Sequence, residues 1–316
     1  MDTGKRRLLV IFIDILLIGI GLLVYALFHH VMPREGTPIA TPFPTSPTAY
    51  SFPNETEASN PLATPTSMGW SYEGFSTATI SDRYSYTSKN ISIKLKRHEK
   101  NGVVYFVQDI HIRNIESLKT AFAKDKYGIG FKDTAFNIAE KHNAIAAITG
   151  DYYGARDIGV VIRNGTLYRD ARFRDVCVLY RNGEMKTFSK NEIDAYKELQ
   201  NGAYQAWSFG PALLDNSGKP KTAFDSDVKP KNPRAAIGYY EPGHYCFVVV
   251  DGRGENDSKG MTLMELSQLM YELGCKVAYN LDGGMSAQMY FNGEIVNSPA
   301  KGGREISDII YICENP

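Results

Sequence analysis

Apolar residues fill positions 8–28 almost without a break, directly after the basic trio Lys5, Arg6 and Arg7. Wound as a helix, a run of this length crosses a hydrocarbon core of about 30 Å. The basic flank predicts a cytoplasmic start, with the rest of the chain outside. A cleaved signal peptide is the competing reading. The run is long for a signal's apolar segment, and no Ala-x-Ala site follows it, so an uncleaved anchor over residues 1–30 is favoured. Asp14 inside the run costs about 2.5–3.5 kcal/mol if central, and its place toward the basic end lets it snorkel or find a partner helix.

Periodicity then disappears. Residues 31–73 are rich in Pro, Thr, Ser and Ala and read as a stiff, solvated stalk. From residue 74 the pattern becomes that of one exported folded domain, residues 74–316. Residues 103–112 form a β-rich run. Residues 116–123 and 134–142 read as helices, the second leading into an apolar strand at 144–149. Two hairpins follow, 159–169 and 176–188, turning at Asn164-Gly165 and Asn182-Gly183, the dipeptide that best supports a tight hairpin turn. A short helix at 192–199 precedes the apolar stretch 206–214, in which Trp207 reads as core and Phe209-Gly210-Pro211 as a bend. Residues 245–250 are nearly all apolar, as in a strand buried on both faces. Thr262 and Glu265 then make a capping box. Leu263, Leu266, Leu269, Met270 and Leu273 recur on one helical face, and Gly274 stops the helix. A strand at 276–280, a hairpin turning at Asn292-Gly293, and a last strand at 306–312 complete the chain. The class expected is α+β: a β-rich mixed sheet with flanking helices.

Composition narrows the function. Lys plus Arg and Asp plus Glu each number 35, so no global field recruits nucleic acid, and no nucleic-acid partner is expected. Cys177, Cys246, Cys275 and Cys313 form no CxxC, and read as buried thiols, with a disulfide as the alternative in an exported domain. The six histidines fall outside the motifs below, and HExxH is absent, so a zinc hydrolase is not expected; no cofactor and no metal ligands are assigned, and carboxylates with backbone carbonyls could hold calcium or magnesium although no spacing demands it. GxSxG and the P-loop are also absent, which removes nucleophile-elbow hydrolases and nucleoside triphosphatases. Oligomeric state is not readable.

The chemistry gathers at strand ends. Gly150-Asp151-Tyr152-Tyr153-Gly154 sets a carboxylate beside aromatic rings. Asp251-Gly252-Arg253 ends the strand at 245–250, and Asn280-Leu281-Asp282-Gly283-Gly284-Met285-Ser286 ends the next. Arg234, behind Pro233, and Arg304 lead other strands, and a guanidinium there suits carboxylate or phosphate. One Asp-Gly turn is ordinary hairpin chemistry, and Arg234 alone could serve a surface ion pair. Several such carboxylates and arginines in one domain suggest a shared mouth, because ligands gather where strand-end loops converge. The cluster Arg169, Arg172, Arg174 reads as a solvated face.

These segments, together with Phe209-Gly210-Pro211-Ala212, Asn232-Pro233-Arg234-Ala235-Ala236-Ile237-Gly238 and Asn297, resemble the phosphodiester glycosidase family in unbroken order over roughly residues 105–312. The chain departs from the family pattern at Thr149, Ala235 and Met285 and in the order Arg304-Glu305. The resemblance implies cleavage of a sugar C1 to phosphate-oxygen bond, with a glycan or sugar phosphodiester as the partner. It implies Asp282 as the carboxylate nearest the anomeric carbon, with Asp151 or Glu305 as its partner. Arg234 would steady the departing phosphate, with Arg304 as second candidate. Gly283 and Gly284 would offer backbone N–H groups, while Asn280, Ser286, Asn297, Asp251, Arg304 and Tyr153 would bind or orient substrate. A glycan-binding module of the same fold, without turnover, is the alternative.

Overall fold

The structure is a computed structural model that describes residues 3–28, 32–41 and 74–314. Strands and helices are numbered in chain order. Helix α1 (Thr3–Ala26) stands with its apolar side chains exposed, and its segment Arg6–Ala26 is long and apolar enough to cross a membrane. Of the span read as a stalk, residues 32–41 are described. Here β1 (Arg34–Glu35) pairs with β7 (Gly128–Ile129), and Ala40 bridges Leu167, so this part lies on the folded domain. Residues 42–73 lie outside the described residues.

Three sheets build the domain. The central one has seven strands, in the order β16 (Val277–Asn280), β14 (Arg234–Glu241), β15 (His244–Val250), β5 (Val103–Ile112), β4 (Ile91–Lys100), β3 (Ser85–Thr87) and β2 (Ile80–Ser81). A second runs β10 (Thr166–Ala171), β9 (Gly159–Arg163), β13 (Ala203–Trp207), β11 (Val176–Tyr180), β12 (Met185–Phe188). A third runs β18 (Glu294–Ile295), β17 (Met289–Phe291), β8 (Ala146–Thr149), β19 (Asp308–Ile312), β6 (Leu118–Phe122). The β-rich α+β class is as expected, and the ladders among the described residues are antiparallel.

One core lies between the sheets, where Trp207, Phe247, Tyr279 and Phe291 are buried with Ile91, Ile93 and Ile110. The other face of the central sheet is covered by α4 (Leu263–Glu272), which sets Leu266, Leu269 and Met270 on Val107, Ala236, Cys246 and Val248. The capping box forms as read: Thr262 Oγ1 accepts from the N–H of Glu265 at 3.1 Å, and the Glu265 carboxylate accepts from the N–H of Thr262 at 2.7 Å. Helices α2 (Ala135–Lys141) and α3 (Ala195–Gln200) occupy the other expected places, capped by Thr134 and Asp194. Asn164 and Gly165 both take positive φ, 51° and 82°, as a type I′ hairpin requires.

One expected helix is absent. Residues 116–123 begin as a 3-10 turn at Ile115–Ser117 and then become β6, paired along its whole length with β19. Leu118, Thr120 and Phe122 suit a strand, and the neighbouring edge of β19 satisfies their backbone groups, so pairing overrides the local helical reading. The four cysteines are buried thiols, and Cys246 Sγ lies 3.7 Å from Cys275 Sγ.

Candidate active site

Strand β16 delivers the loop 281–286 to the edge of the core. Its two glycines are imposed by crowding. A Cβ on Gly283 would sit 2.8 Å from the carbonyl oxygen of Pro233, and Gly284 takes φ of +63°. The N–H of Gly284 donates to Pro233 O at 2.9 Å, so that amide is committed to the backbone leading into β14 and is not offered outward. The N–H of Asp282 donates to Gly150 O at 3.1 Å, which joins the end of β16 to the end of β8.

Asp282 is buried and meets Arg304. Arg304 Nη2 lies 3.2 Å from Oδ1 and 3.0 Å from Oδ2 of Asp282, while its Nε donates to Ser286 Oγ at 2.6 Å. The guanidinium is thereby a bracket between the carboxylate and the hydroxyl of one loop, and it remains about one-third exposed (35% of its side chain). Burial pushes the Asp282 carboxyl above its ordinary range; Ser286 and Arg304 draw it down, and the nearby charge of Asp151 pushes it up again.

Beneath Asp282 lies a buried charge network. Asp151 Oδ1 accepts from the N–H of Tyr152 and Oδ2 from the N–H of Ser208, both at 2.7 Å. The N–H of Asp151 donates to Asp308 Oδ1 at 2.7 Å. Arg163 then closes the group, with Nε 2.9 Å and Nη2 2.8 Å from Asp308 Oδ2, and Nη2 3.7 Å from Asp151 Oδ2. Burial raises the Asp308 carboxyl to about 6; Arg163 opposes the rise and Asp151 adds to it. Gly150 makes room for this contact, since a Cβ there would fall 2.4 Å from Asp308 Oδ1. Three carboxylates thus share two guanidinium groups, which favours one retained proton.

Sequence reasoning missed Arg163 and Asp308. Each carried a signal, a charged residue at the end of an apolar strand: Arg163 closes Gly-Val-Val-Ile and Asp308 opens Ile-Ile-Tyr-Ile. It also missed Arg156. This guanidinium lies 5.5 Å from the ring centre of Tyr152, 5.9 Å from Phe173 and 5.7 Å from Phe209, a cation framed by three rings. Tyr152 takes Arg304 as well, at 5.1 Å from its ring centre.

Other expected residues lie elsewhere. Tyr153 is a core residue, stacked on Tyr127 at 5.5 Å and buried; its half-buried neighbour Tyr152 is the ring at the mouth. Glu305 is exposed and turned toward Lys124. Arg234 is almost wholly buried, and its guanidinium donates to the carbonyls of Met261 at 2.8 Å and Pro230 at 2.5 Å. Burial lowers it to about 10. It shares a strand face with Ala236, under α4, and so braces the backbone around Pro233 that the glycine loop leans on. Asp251 accepts from Asn297 Nδ2 at 2.9 Å, from Asn256 Nδ2 at 2.8 Å and from the N–H of Ser298, and burial raises its carboxyl. Asn297 reaches on to Ala287 O and the N–H of Met289, so this pair buttresses the far side of the loop. Asn280 Nδ2 donates to Gly210 O at 2.8 Å; its Oδ1 is buried with no hydrogen-bond partner among the described residues. Arg253 lies over Gly284, 3.2 Å from the place a Cβ would take.

Beside this mouth, Phe173, Arg174, Pro211 and Lys221 line a concavity of about 230 Å³. It adjoins a larger one of about 570 Å³, lined by Asp175, Phe188, Leu214 and Asp215. Neither contains Asp282. At Asp282 a buried carboxylate of raised affinity for protons, the one-third-exposed guanidinium of Arg304 and the ring of Tyr152 meet.

The description that fits the chain among known families is phosphodiester glycosidase, whose family model matches residues 142–313. A curated relative, the SPbeta prophage-derived uncharacterized protein YomE of Bacillus subtilis (strain 168), is 28% identical over 277 residues, 80% of this chain. The chain spans about two-fifths (41%) of that relative's length. Among solved structures, the zebrafish N-acetylglucosamine-1-phosphodiester alpha-N-acetylglucosaminidase catalytic domain, auto-inhibited by its pro-peptide, superposes with a TM-score of 0.56. That match has 19% identity and covers 71% of this chain and 83% of that one. A hypothetical protein from Synechocystis gives a TM-score of 0.55 at 15% identity, over 71% of this chain and 62% of that one. These two likenesses show a shared fold.

Proposed function

The chain belongs to the phosphodiester glycosidase family, and from that membership we propose that it is a membrane-anchored, extracytoplasmic hydrolase. It cleaves the bond between sugar C1 and a phosphate oxygen in cell-surface polysaccharide or wall glycan, and helix α1 holds it to the membrane with the N-terminus inside. The observation that carries the reading is the Arg304 bracket, which ties Asp282 to Ser286 where the ends of β16 and β8 join.

Asp282 acts at the anomeric carbon of an oxocarbenium-like transition state, as nucleophile or as base toward water. The C1–O bond breaks, its electron pair leaves with the phosphate, and water supplies the new hydroxyl at C1. A phosphate leaves readily, so a cation on its developing charge matters more than a strong acid. Arg304 is that cation, with Arg156 beside it; as the phosphate draws Arg304, Asp282 is released from its ion pair when it must react. Asp151 is the partner carboxylate. Its oxygens are taken by two backbone N–H groups, so it sets the field around Asp282 and does not itself reach substrate. Arg234 works through the backbone it braces. The basic concavity at Arg174 and Lys221 runs on from the mouth and suits the polyanionic remainder of a phosphodiester-linked glycan.

The test uses the full chain in detergent, a panel of sugar-1-phosphodiesters, and water enriched in the heavy oxygen isotope. The reading expects free sugar carrying the label and an unlabelled phosphomonoester, with Asp282→Asn slower by about 10²–10³-fold. Label in the phosphate would mean P–O cleavage, and saturable glycan binding without turnover would mean a binding module; either result overturns the proposal.

A further inference from the structure

On the α4 face of the central sheet, away from the mouth, three side chains converge. His111 of β5 and His244 of β15 are direct cross-strand partners, and Asp109 lies two residues before His111, opposite Cys246. The two imidazoles stack at 3.9 Å, and Tyr240 stacks on the other face of His244 at 4.1 Å, fixing its plane. His244 Nε2 lies 2.7 Å from Asp109 Oδ1, and His111 Nε2 lies 3.6 Å from Asp109 Oδ2. All three ligating atoms lie within 4.8 Å of one another.

We propose that Asp109, His111 and His244 bind a first-row divalent metal ion of the zinc class, outside the active site. Two imidazoles and one carboxylate suit zinc or copper far better than calcium or magnesium, which take oxygen ligands. Around a tetrahedral ion with bonds of about 2.0–2.2 Å, ligand atoms stand roughly 3.3 Å apart. Asp109 turns Oδ1 to His244 at 2.7 Å and Oδ2 to His111 at 3.6 Å, and with one atom from each residue all within 4.8 Å, side-chain rotations that draw the three atoms to that spacing admit the ion.

The side chains keep 12–19% exposure, enough for an ion and a water as fourth ligand to enter. The β14–β15 turn adds Glu241 opposite His244. No sequence motif announces the site, because Asp109 and His244 are 135 residues apart and meet only through strand register. Along β15 the seven residues from His244 to Asp251 span about 24 Å, at roughly 3.4 Å per residue, so its ion would staple β5 to β15 and take no part in the cleavage.

The experiment takes the tag-free full chain in detergent, stripped with EDTA, and titrates it with zinc chloride and separately with cobalt chloride. Expected are about one zinc retained per chain after dialysis, cobalt absorption bands of a tetrahedral site, and a rise in thermal midpoint with zinc. His111→Gln and His244→Gln each remove the retained zinc, Asp109→Asn weakens it at least about tenfold with the side-chain shape kept, and Asp282→Asn leaves it unchanged. Circular dichroism checks that the variants are folded. Failure of the unaltered chain to retain zinc or develop the cobalt bands overturns the site, as does full retention by both folded histidine variants.

Discussion

Replacing Arg163 with methionine tests the charge network on which the site rests. The side chain is 1% exposed, and its guanidinium serves Asp308, Asp151 and the carbonyls of Ile162 and Ala206. Methionine fills much of the volume but leaves two buried carboxylates without their cation. Breaking a buried pair from one side costs about 3–5 kcal/mol, a large part of a typical stability of about 5–15 kcal/mol. The cost depends on pH with a definite sign. Burial raises the folded-state value of Asp308 to about 6, above the ordinary carboxylate range. Stability tied to its proton is complete below that range and is lost as pH rises through the folded value. Without Arg163 the folded value moves higher, so Asp308 stays protonated over more of the range and the penalty shrinks as pH falls. Urea unfolding of the full chain in detergent should give a loss of about 3–5 kcal/mol near a pH of about 8, smaller by at least about 1 kcal/mol near a pH of about 5. A loss below about 1 kcal/mol at both, or one that grows on acidification, would refute the reasoning.

Three further outcomes follow from the same geometry. Arg304→Lys keeps the charge but loses the bracket between Asp282 and Ser286, so kcat/KM should fall about 10–100-fold with the thermal midpoint nearly unchanged; equal activity would sink the role given to the fork. Arg156→Ala removes a cation framed by three rings, and steady-state kinetics should show KM rising by about tenfold for phosphodiester substrates, whereas an unchanged KM would exclude it from phosphate binding. Thr262→Ala deletes the side-chain half of the capping box and should cost about 1 kcal/mol in urea unfolding with catalysis intact.

The legible parts of the chain are those whose physics is local. The capping box of α4 involves residues three apart, the Asn164-Gly165 turn needs only two residues that tolerate positive φ, and the apolar helix α1 needs only its own length. Each has its stabilising partners within a few residues, so the sequence carries the whole argument. The glycines around Asp282 were legible as a tight loop for the same reason. What the loop packs against was not: Gly283 is demanded by Pro233, fifty positions upstream.

Direction and partnership were left to the tertiary structure. Arg234 and Arg304 look alike in the sequence, but strand alternation turns Arg234 under α4 toward carbonyls, while Arg304 reaches Asp282. Tyr152 and Tyr153 are neighbours, and the 3-10 turn at Tyr153–Ala155 buries one against Tyr127 and leaves the other at the mouth. Arg163 and Asp308 are 145 residues apart, and residues 118–122 became a strand only because the edge of β19 was there to pair with them. The sequence by itself determined the apolar helix α1, the capped helix, the hairpins and the loop that carries Asp282. Which charges meet beneath that loop was decided by the stacking of three sheets, since a buried ion pair is stable only where distant strands bring both partners out of water together.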